Sequence, residues 1–123
     1  MPRFVEMDAT VTLAAQLRDD TNGPVVLINT LVVPAEDAEA LLDTWRRDAA
    51  VMKCQPGFIS TQLHRGIAGS GTFLNYAVWQ SVAHFRAAFA NPEFQARLSE
   101  YPERARVSPH LFRKVEVEGI CVA

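Results

Sequence analysis

The segment 24–33 constrains this chain most, because it is almost entirely β-branched or aliphatic. An apolar run of this length is typical of a strand that is buried on both faces of a sheet. Asn29 is the one polar residue with hydrogen-bonding reach inside the run. We therefore expect a central strand here, with one amide that something inside the fold must satisfy.

The residues that follow predict a helix and a hairpin. In segment 34–53 apolar side chains recur at helical spacing and charged ones occupy the other side, which predicts an amphipathic helix. Residues 58–65 and 72–79 are strand-like, and the glycine-rich segment 66–71 between them is typical of a hairpin connection. We expect these two strands to pair antiparallel.

A second helix and a last strand complete the pattern. Ser81 is a suitable N-cap for the helix, Asn91 and Pro92 can restart it, and Pro102 ends it. In segment 111–122, after a charged loop, valines alternate with charged residues, which predicts the last strand.

The predicted order is β-α-β-β-α-β, the split βαβ pattern of the ferredoxin-like α+β fold. The first and third predicted strands are expected to lie parallel at the centre of a four-stranded sheet that is antiparallel overall, with both helices on one face. Both strands are apolar on both sides, so the uncovered face would expose a large apolar patch. A second copy on that face, forming a twofold dimeric α/β-barrel, is the simplest cover.

The predicted domain spans residues 24–123, and residues 1–23 look like an N-terminal extension whose segment 9–17 fits either a strand or a short helix. A formal net charge of −2 without a Lys/Arg cluster argues against nucleic acid as a partner. No apolar run reaches ~18 residues, so we expect a cytoplasmic protein without membrane contact. Cys54 and Cys121 lack metal-binding spacing, so we expect structural thiols.

Two asparagines are the main candidates for chemistry. Asn75 shares one side of the third predicted strand with Phe73, Ala77 and Trp79. If the first and third strands are neighbours, Asn29 and Asn75 face the same space about 5 Å apart. They then form a polar pair in an apolar chamber, where they either serve a ligand or satisfy each other or a buried water.

Several motifs resemble those of the antibiotic biosynthesis monooxygenases: GTFLNYAVWQS at 71–81, FRAAF at 85–89, PGF at 56–58 and LINT at 27–30. The resemblance covers residues 25–117, and the combination of Asn29, Asn75 and Trp79 is its most specific part. It implies an enzyme similar to the polyketide anthrone and naphthacenone oxygenases. Such an enzyme converts a phenolic polycyclic substrate to a quinone with O2, without flavin, metal or haem.

By that resemblance, Asn29 and Asn75 hold the oxyanion and carbonyl oxygens of the substrate. Trp79 positions the ring system, and its indole N–H can donate to a peroxide. His64 resembles a histidine of some anthrone oxygenases, which makes it either a base or a solvated edge-strand residue. The remaining substrate contacts that we expect are Phe73, Phe85, Phe89 and Arg97.

Two alternatives remain open. A haem-degrading enzyme of the same fold also has an asparagine on its first strand, but its histidine ligand and tryptophan would fall at Leu98 and Ala88, which disfavours haem. A non-catalytic dimeric barrel that binds a small molecule or a partner protein would leave both asparagines structural.

Overall fold

The computed structural model describes all 123 residues as an α+β domain built on one five-stranded sheet. The strands are β1 (Arg3–Phe4), β2 (Val25–Val32), β3 (Phe58–Arg65), β4 (Thr72–Trp79) and β5 (Arg106–Phe112). The helices are α1 (Leu13–Gln16), α2 (Ala38–Met52), α3 (Val82–Phe89) and α4 (Pro92–Arg97), and 3-10 turns at Ala35–Asp37 and Leu98–Glu100 adjoin α2 and α4. The predicted order of the six main elements is confirmed.

The sheet differs from the predicted one in two respects. It has five strands rather than four, because β1 pairs in parallel with β5, and the strand order is β1-β5-β2-β4-β3. The prediction that the first and third predicted strands, β2 and β4, are parallel is wrong, since they pair antiparallel with Val25 opposite Trp79. Strand β4 is antiparallel to its hairpin partner β3, and it inserts between β2 and β3, which run parallel as the two ends of a βαβ unit.

The last strand lies earlier in the chain than predicted. Strand β5 ends at Phe112, and beyond it the chain forms only an isolated bridge between Val117 and Cys121. The alternating valines of segment 111–122 therefore do not mark a sheet strand, and Val115 is 71% exposed. Pro109 lies inside β5, and proline is rare in strand interiors because it has no N–H to donate.

The helix boundaries follow local capping chemistry. The Ser81 hydroxyl accepts a hydrogen bond from the backbone N–H of His84 at the start of α3, and the Asn91 side chain accepts one from the N–H of Glu93 at the start of α4. These are the two starts that the sequence predicts. No helix combines the length and the hydropathy that a membrane crossing requires.

Residues 1–23 pack against the rest of the domain. Within segment 9–17, Leu13–Gln16 form the helix α1, which Thr12 caps and which buries Leu13 in the apolar core. The Gln16 side chain donates to the carbonyl of Leu111 and accepts from its N–H, both at 2.9 Å. Strand β1 and the Gln16 amide thus cover successive parts of the free edge of β5.

Helices α2, α3 and α4 pack on one face of the sheet, which we call the inner face. Its apolar side chains form two buried clusters, one containing Leu27 and the other Leu31. Asn29 lies between these two residues along β2, directly opposite Asn75 on β4. Because side chains alternate along a strand, both asparagines point to the inner face, between the two clusters.

None of the helices α2, α3 and α4 packs on the opposite face of the sheet, which we call the outer face. Its central apolar side chains are all partly exposed in the single chain: Val26, Ile28, Val32, Leu74, Tyr76 and Val78.

Candidate functional site

A cavity lies between the inner face and helices α2, α3 and α4. Its volume is about 80 Å3, which is room for several waters. Of the 21 lining residues, 15 are hydrophobic, so the cavity suits a largely apolar ligand.

Five aromatic rings line the cavity in a continuous row: Phe58, Trp79, Phe85, Phe89 and Phe94. Successive ring centroids are 5.4, 5.8, 5.6 and 5.6 Å apart, and the rings meet edge-on or tilted. Aromatic side chains pack favourably against other rings in these geometries. The row therefore favours an aromatic ligand.

Asn29 and Asn75 both line this cavity, and in each side-chain amide only the oxygen is hydrogen-bonded to the protein. The Oδ1 atom of Asn29 accepts a hydrogen bond of 3.0 Å from the backbone N–H of Ser108. The Oδ1 atom of Asn75 accepts one of 2.5 Å from the Thr61 hydroxyl. The amides do not bond each other, and neither –NH2 group donates a hydrogen bond within the chain. The pair can therefore present N–H donors to a ligand.

Trp79 adds a third donor to the cavity wall. The residue is 1% exposed, and its indole Nε1 is buried without a hydrogen-bond partner. Buried indole N–H groups usually find a partner, so an unpaired one beside a cavity indicates a place for a ligand acceptor.

One carboxylate that lines the cavity was not predicted from the sequence. Asp48 on α2 is 4% exposed and lines the cavity. Neither of its oxygens has a hydrogen bond of ordinary geometry within the chain, although the Tyr101 hydroxyl lies beside it. Burial raises the pKa of Asp48 to about 6. Burial also raises the pKa of Tyr101, whose hydroxyl therefore stays protonated.

The sequence contains a signal that could have revealed Asp48. Leu41, Trp45 and Met52 belong to the apolar stripe of the predicted helix, and Asp48 falls three residues after Trp45 and four before Met52. Residues at these spacings share one face of a helix, so the stripe places a carboxylate among the inward side chains.

Three predicted substrate contacts do not line the cavity. Phe73 is 1% exposed inside the apolar core, and Arg97 forms ion pairs with Glu93 and Glu100 beside the cavity. His64 is exposed on the outer face. The other five predicted site residues all line the cavity: Asn29, Asn75, Trp79, Phe85 and Phe89.

A β-bulge explains the position of His64. A strict period of two from Phe58 would place His64 on the same face as Phe58, which lines the cavity. The register of β3 shifts between Phe58 and Ser60, which reverses the alternation and turns Thr61 inward instead. His64 consequently points away from the cavity.

The N-terminal segment contributes residues that sequence reasoning missed. Pro2 and Phe4 both line the cavity, close to the start of β5. Strand β1 has only two residues, so no local periodicity could have shown it.

The cavity wall contains no histidine or cysteine. These side chains are common axial ligands of haem iron, and the described residues contain no group of three or more His, Cys, Asp or Glu that could hold a metal ion. The wall thus lacks the histidine ligand that the haem-degrading alternative requires.

Comparison with known proteins gives the family. A family model described as antibiotic biosynthesis monooxygenase matches residues 24–98. The chain belongs to the antibiotic biosynthesis monooxygenase family. This confirms the resemblance that the sequence motifs indicate. No curated protein sequence matches the chain.

Solved structures of the family share this fold. SnoaB, a cofactor-independent oxygenase from Streptomyces nogalater, is 25% identical with a TM-score of 0.67, over 79% of this chain and 98% of that one. A SnoaB variant with one asparagine replaced by alanine is 26% identical with a TM-score of 0.69, over the same shares of the two chains. A candidate monooxygenase from Shewanella loihica is 34% identical with a TM-score of 0.67, over 79% of this chain and 99% of that one.

Proposed function

We propose that this family member is a cofactor-independent oxygenase that converts a phenolic polycyclic, anthrone-like substrate to a quinone with O2. The observation that carries the proposal is the convergence of unpaired N–H donors from Asn29, Asn75 and Trp79 on one cavity lined by aromatic rings. The similarity to SnoaB, an oxygenase that needs no cofactor, supports the reaction class.

The reaction converts a ring CH2 group and O2 to a carbonyl group and water. Loss of a proton from the substrate gives an electron-rich enolate, which passes one electron to O2. The two radicals combine to form a C–O bond, which gives a peroxide anion, and this anion takes up a proton. Loss of the second C–H proton, with cleavage of the O–O bond and departure of hydroxide, leaves the carbonyl, and the departing hydroxide takes up a proton to form water.

The protein has two tasks in this sequence: to stabilise the negative charge of the enolate and to enclose the peroxide. The –NH2 groups of Asn29 and Asn75 are suited to the enolate oxygen. The Trp79 indole N–H is suited to the peroxide. The row of phenylalanine rings holds the ring system of the substrate against these donors.

The test is to incubate the purified protein with an anthrone in air, in buffer containing a metal chelator, and to follow quinone absorbance. Asn75→Ala and Trp79→Phe should each lower turnover by about tenfold or more, because each removes a donor to developing negative charge. Asn22→Ala is the matched control, since Asn22 is exposed in a loop.

The outcomes separate the candidate functions. Unchanged turnover in both variants would contradict the assignment of the site. If the native protein bound the anthrone but formed no quinone, it would be a non-catalytic binding protein. A Soret shift on titration with haem would favour the haem-degrading alternative.

We also propose that the protein is a cytoplasmic homodimer that pairs through its outer face. Val26, Ile28 and Leu74 are among the apolar side chains that lie partly exposed there, and a second copy would bury them. Light scattering after gel filtration should give twice the 13.6 kDa mass of one chain. Replacing Ile28 by Lys should shift the mass toward that of a monomer.

A further inference from the structure

We propose that Asp48 is the general base of this cavity and accepts the proton that the substrate loses when its enolate forms. The inference rests on the oxygenase function proposed above. It assigns to α2 a step that neither the asparagines nor Trp79 can perform, since amide and indole N–H groups donate hydrogen bonds but do not accept protons near neutral pH.

The geometry of the cavity supports this role. The sheet contributes N–H donors that are free to meet a ligand, from Asn29, Asn75 and Trp79. Helix α2 contributes the Asp48 carboxylate, whose two oxygens are buried without hydrogen bonds of ordinary geometry. A buried acceptor without a partner is costly, and a substrate that donates to it relieves that cost. The cavity thus offers a proton acceptor on its helical wall and stabilisation of negative charge on its sheet wall.

The surroundings of Asp48 give the carboxylate a suitable proton affinity. Burial raises its pKa to about 6, while Tyr101, Arg97 and Arg47 lower the pKa to a smaller extent and Glu100 raises it. At pH 7 to 8 the group is therefore mostly ionised and able to accept a proton. It also binds that proton more tightly than an ordinary aspartate does, which improves the driving force for proton transfer.

The proton balance closes over the reaction. Asp48 takes the first substrate proton, and the electron pair of the broken bond enters the enolate. The protonated carboxyl then gives this proton to the peroxide anion and is ionised again. It can next take the second C–H proton and return it to the departing hydroxide, which leaves as water. Asp48 ends the cycle as it began.

The central experiment compares Asp48→Asn with the native protein in the anthrone assay. The substitution keeps the shape of the side chain and removes the base, so kcat/KM at pH 7.5 should fall by about 100-fold or more. The native profile of kcat/KM against pH should show an acid limb near pH 6, and Asp48→Asn should lack it. Asp43→Asn is the matched control, because Asp43 lies on the same helix but is exposed and paired with arginines.

Two further measurements distinguish a base from a structural carboxylate. Above the solution pKa of the anthrone itself, measured separately by its absorbance, the substrate arrives already ionised. Asp48→Asn should then approach the native rate, whereas a structural defect would persist at every pH. Tyr101→Phe removes a hydroxyl that lowers the pKa of Asp48, so it should move the acid limb to higher pH.

The failures of the two proposals are distinguishable. If the native protein oxidises the anthrone and Asp48→Asn does so with the same kcat/KM and the same acid limb, the assignment of Asp48 is overturned and the oxygenase function stands. If the native protein forms no quinone, both proposals are overturned. Circular dichroism and thermal unfolding of each variant confirm that the compared proteins are folded.

Discussion

Replacing Asp48 by asparagine should stabilise the folded chain increasingly as the pH rises from 4 to 7. The pKa of Asp48 rises from its ordinary 3.8 to about 6 on folding, chiefly because the carboxyl is buried. The folded state therefore binds the proton more tightly than the unfolded chain does. The stability that this proton contributes is fully present below pH 3.8 and is lost as the pH rises through about 6.

The size of the effect follows from the gap between the two pKa values. At ~1.4 kcal/mol for each pH unit of that gap, the ionised carboxylate costs the folded state about 3 kcal/mol above pH 6. Asparagine has no proton to lose, so the difference in unfolding free energy between Asp48→Asn and the native chain should grow by about 2–2.5 kcal/mol between pH 4 and pH 7, because part of the change lies below pH 4. For a chain of this length that corresponds to roughly 10 °C in Tm.

Urea unfolding at a fixed protein concentration, repeated at each pH from 4 to 8, measures this difference. Asp43→Asn serves as the exposed control, and its unfolding free energy should stay within about 0.5 kcal/mol of the native value. A difference between Asp48→Asn and the native chain that is the same at every pH would show that Asp48 titrates like an exposed aspartate. The reasoning from its burial would then be refuted.

Two other substitutions test contacts around the sheet. Gln16→Ala removes the hydrogen bonds of the Gln16 amide to the Leu111 backbone and to His110 Nε2, and should lower the unfolding free energy by about 1–3 kcal/mol in urea. An unchanged midpoint would mean that this edge contact adds nothing. Thr61→Val keeps the side-chain shape but removes the donor that holds Oδ1 of Asn75, so kcat for the anthrone should fall severalfold with little change in KM. A proportional rise in KM instead would show that Asn75 acts mainly in substrate binding.

The elements that the sequence predicts well are those with strong local signals. The two hairpin strands, β3 and β4, have the predicted bounds, because strand-like runs flank a glycine-rich turn. The prediction that Asn29 and Asn75 face the same space required β2 and β4 to be neighbours. They are neighbours with Asn29 opposite Asn75, although the two strands pair antiparallel rather than parallel. Both features depend on periodicity and connection order, which a sequence displays directly.

The elements that the sequence predicts poorly depend on tertiary contacts or on breaks in periodicity. Strand β5 contains Pro109, and a proline argues against a strand in the sequence. The alternating valines near Val115 have a strand-like pattern, but they pair with no strand of the sheet. The bulge after Phe58 reverses the side of the sheet on which His64 lies, and no residue type at this position indicates a bulge. Asp48 was visible in the helical stripe, but a charged residue among apolar ones is usually taken for the polar face.

The way in which the N-terminal residues complete the domain bears on how this protein should be handled. A shortened version that starts at residue 24, where the family match begins, would expose the backbone of β5 along the edge that faces away from β2. It would also remove Pro2 and Phe4 from the cavity wall. An unprotected strand of that kind invites other chains to add to it, so the shortened protein should aggregate and admit bulk water to the pocket. Purification tags therefore belong at the other end of the chain, where residues 113–123 lie outside the sheet.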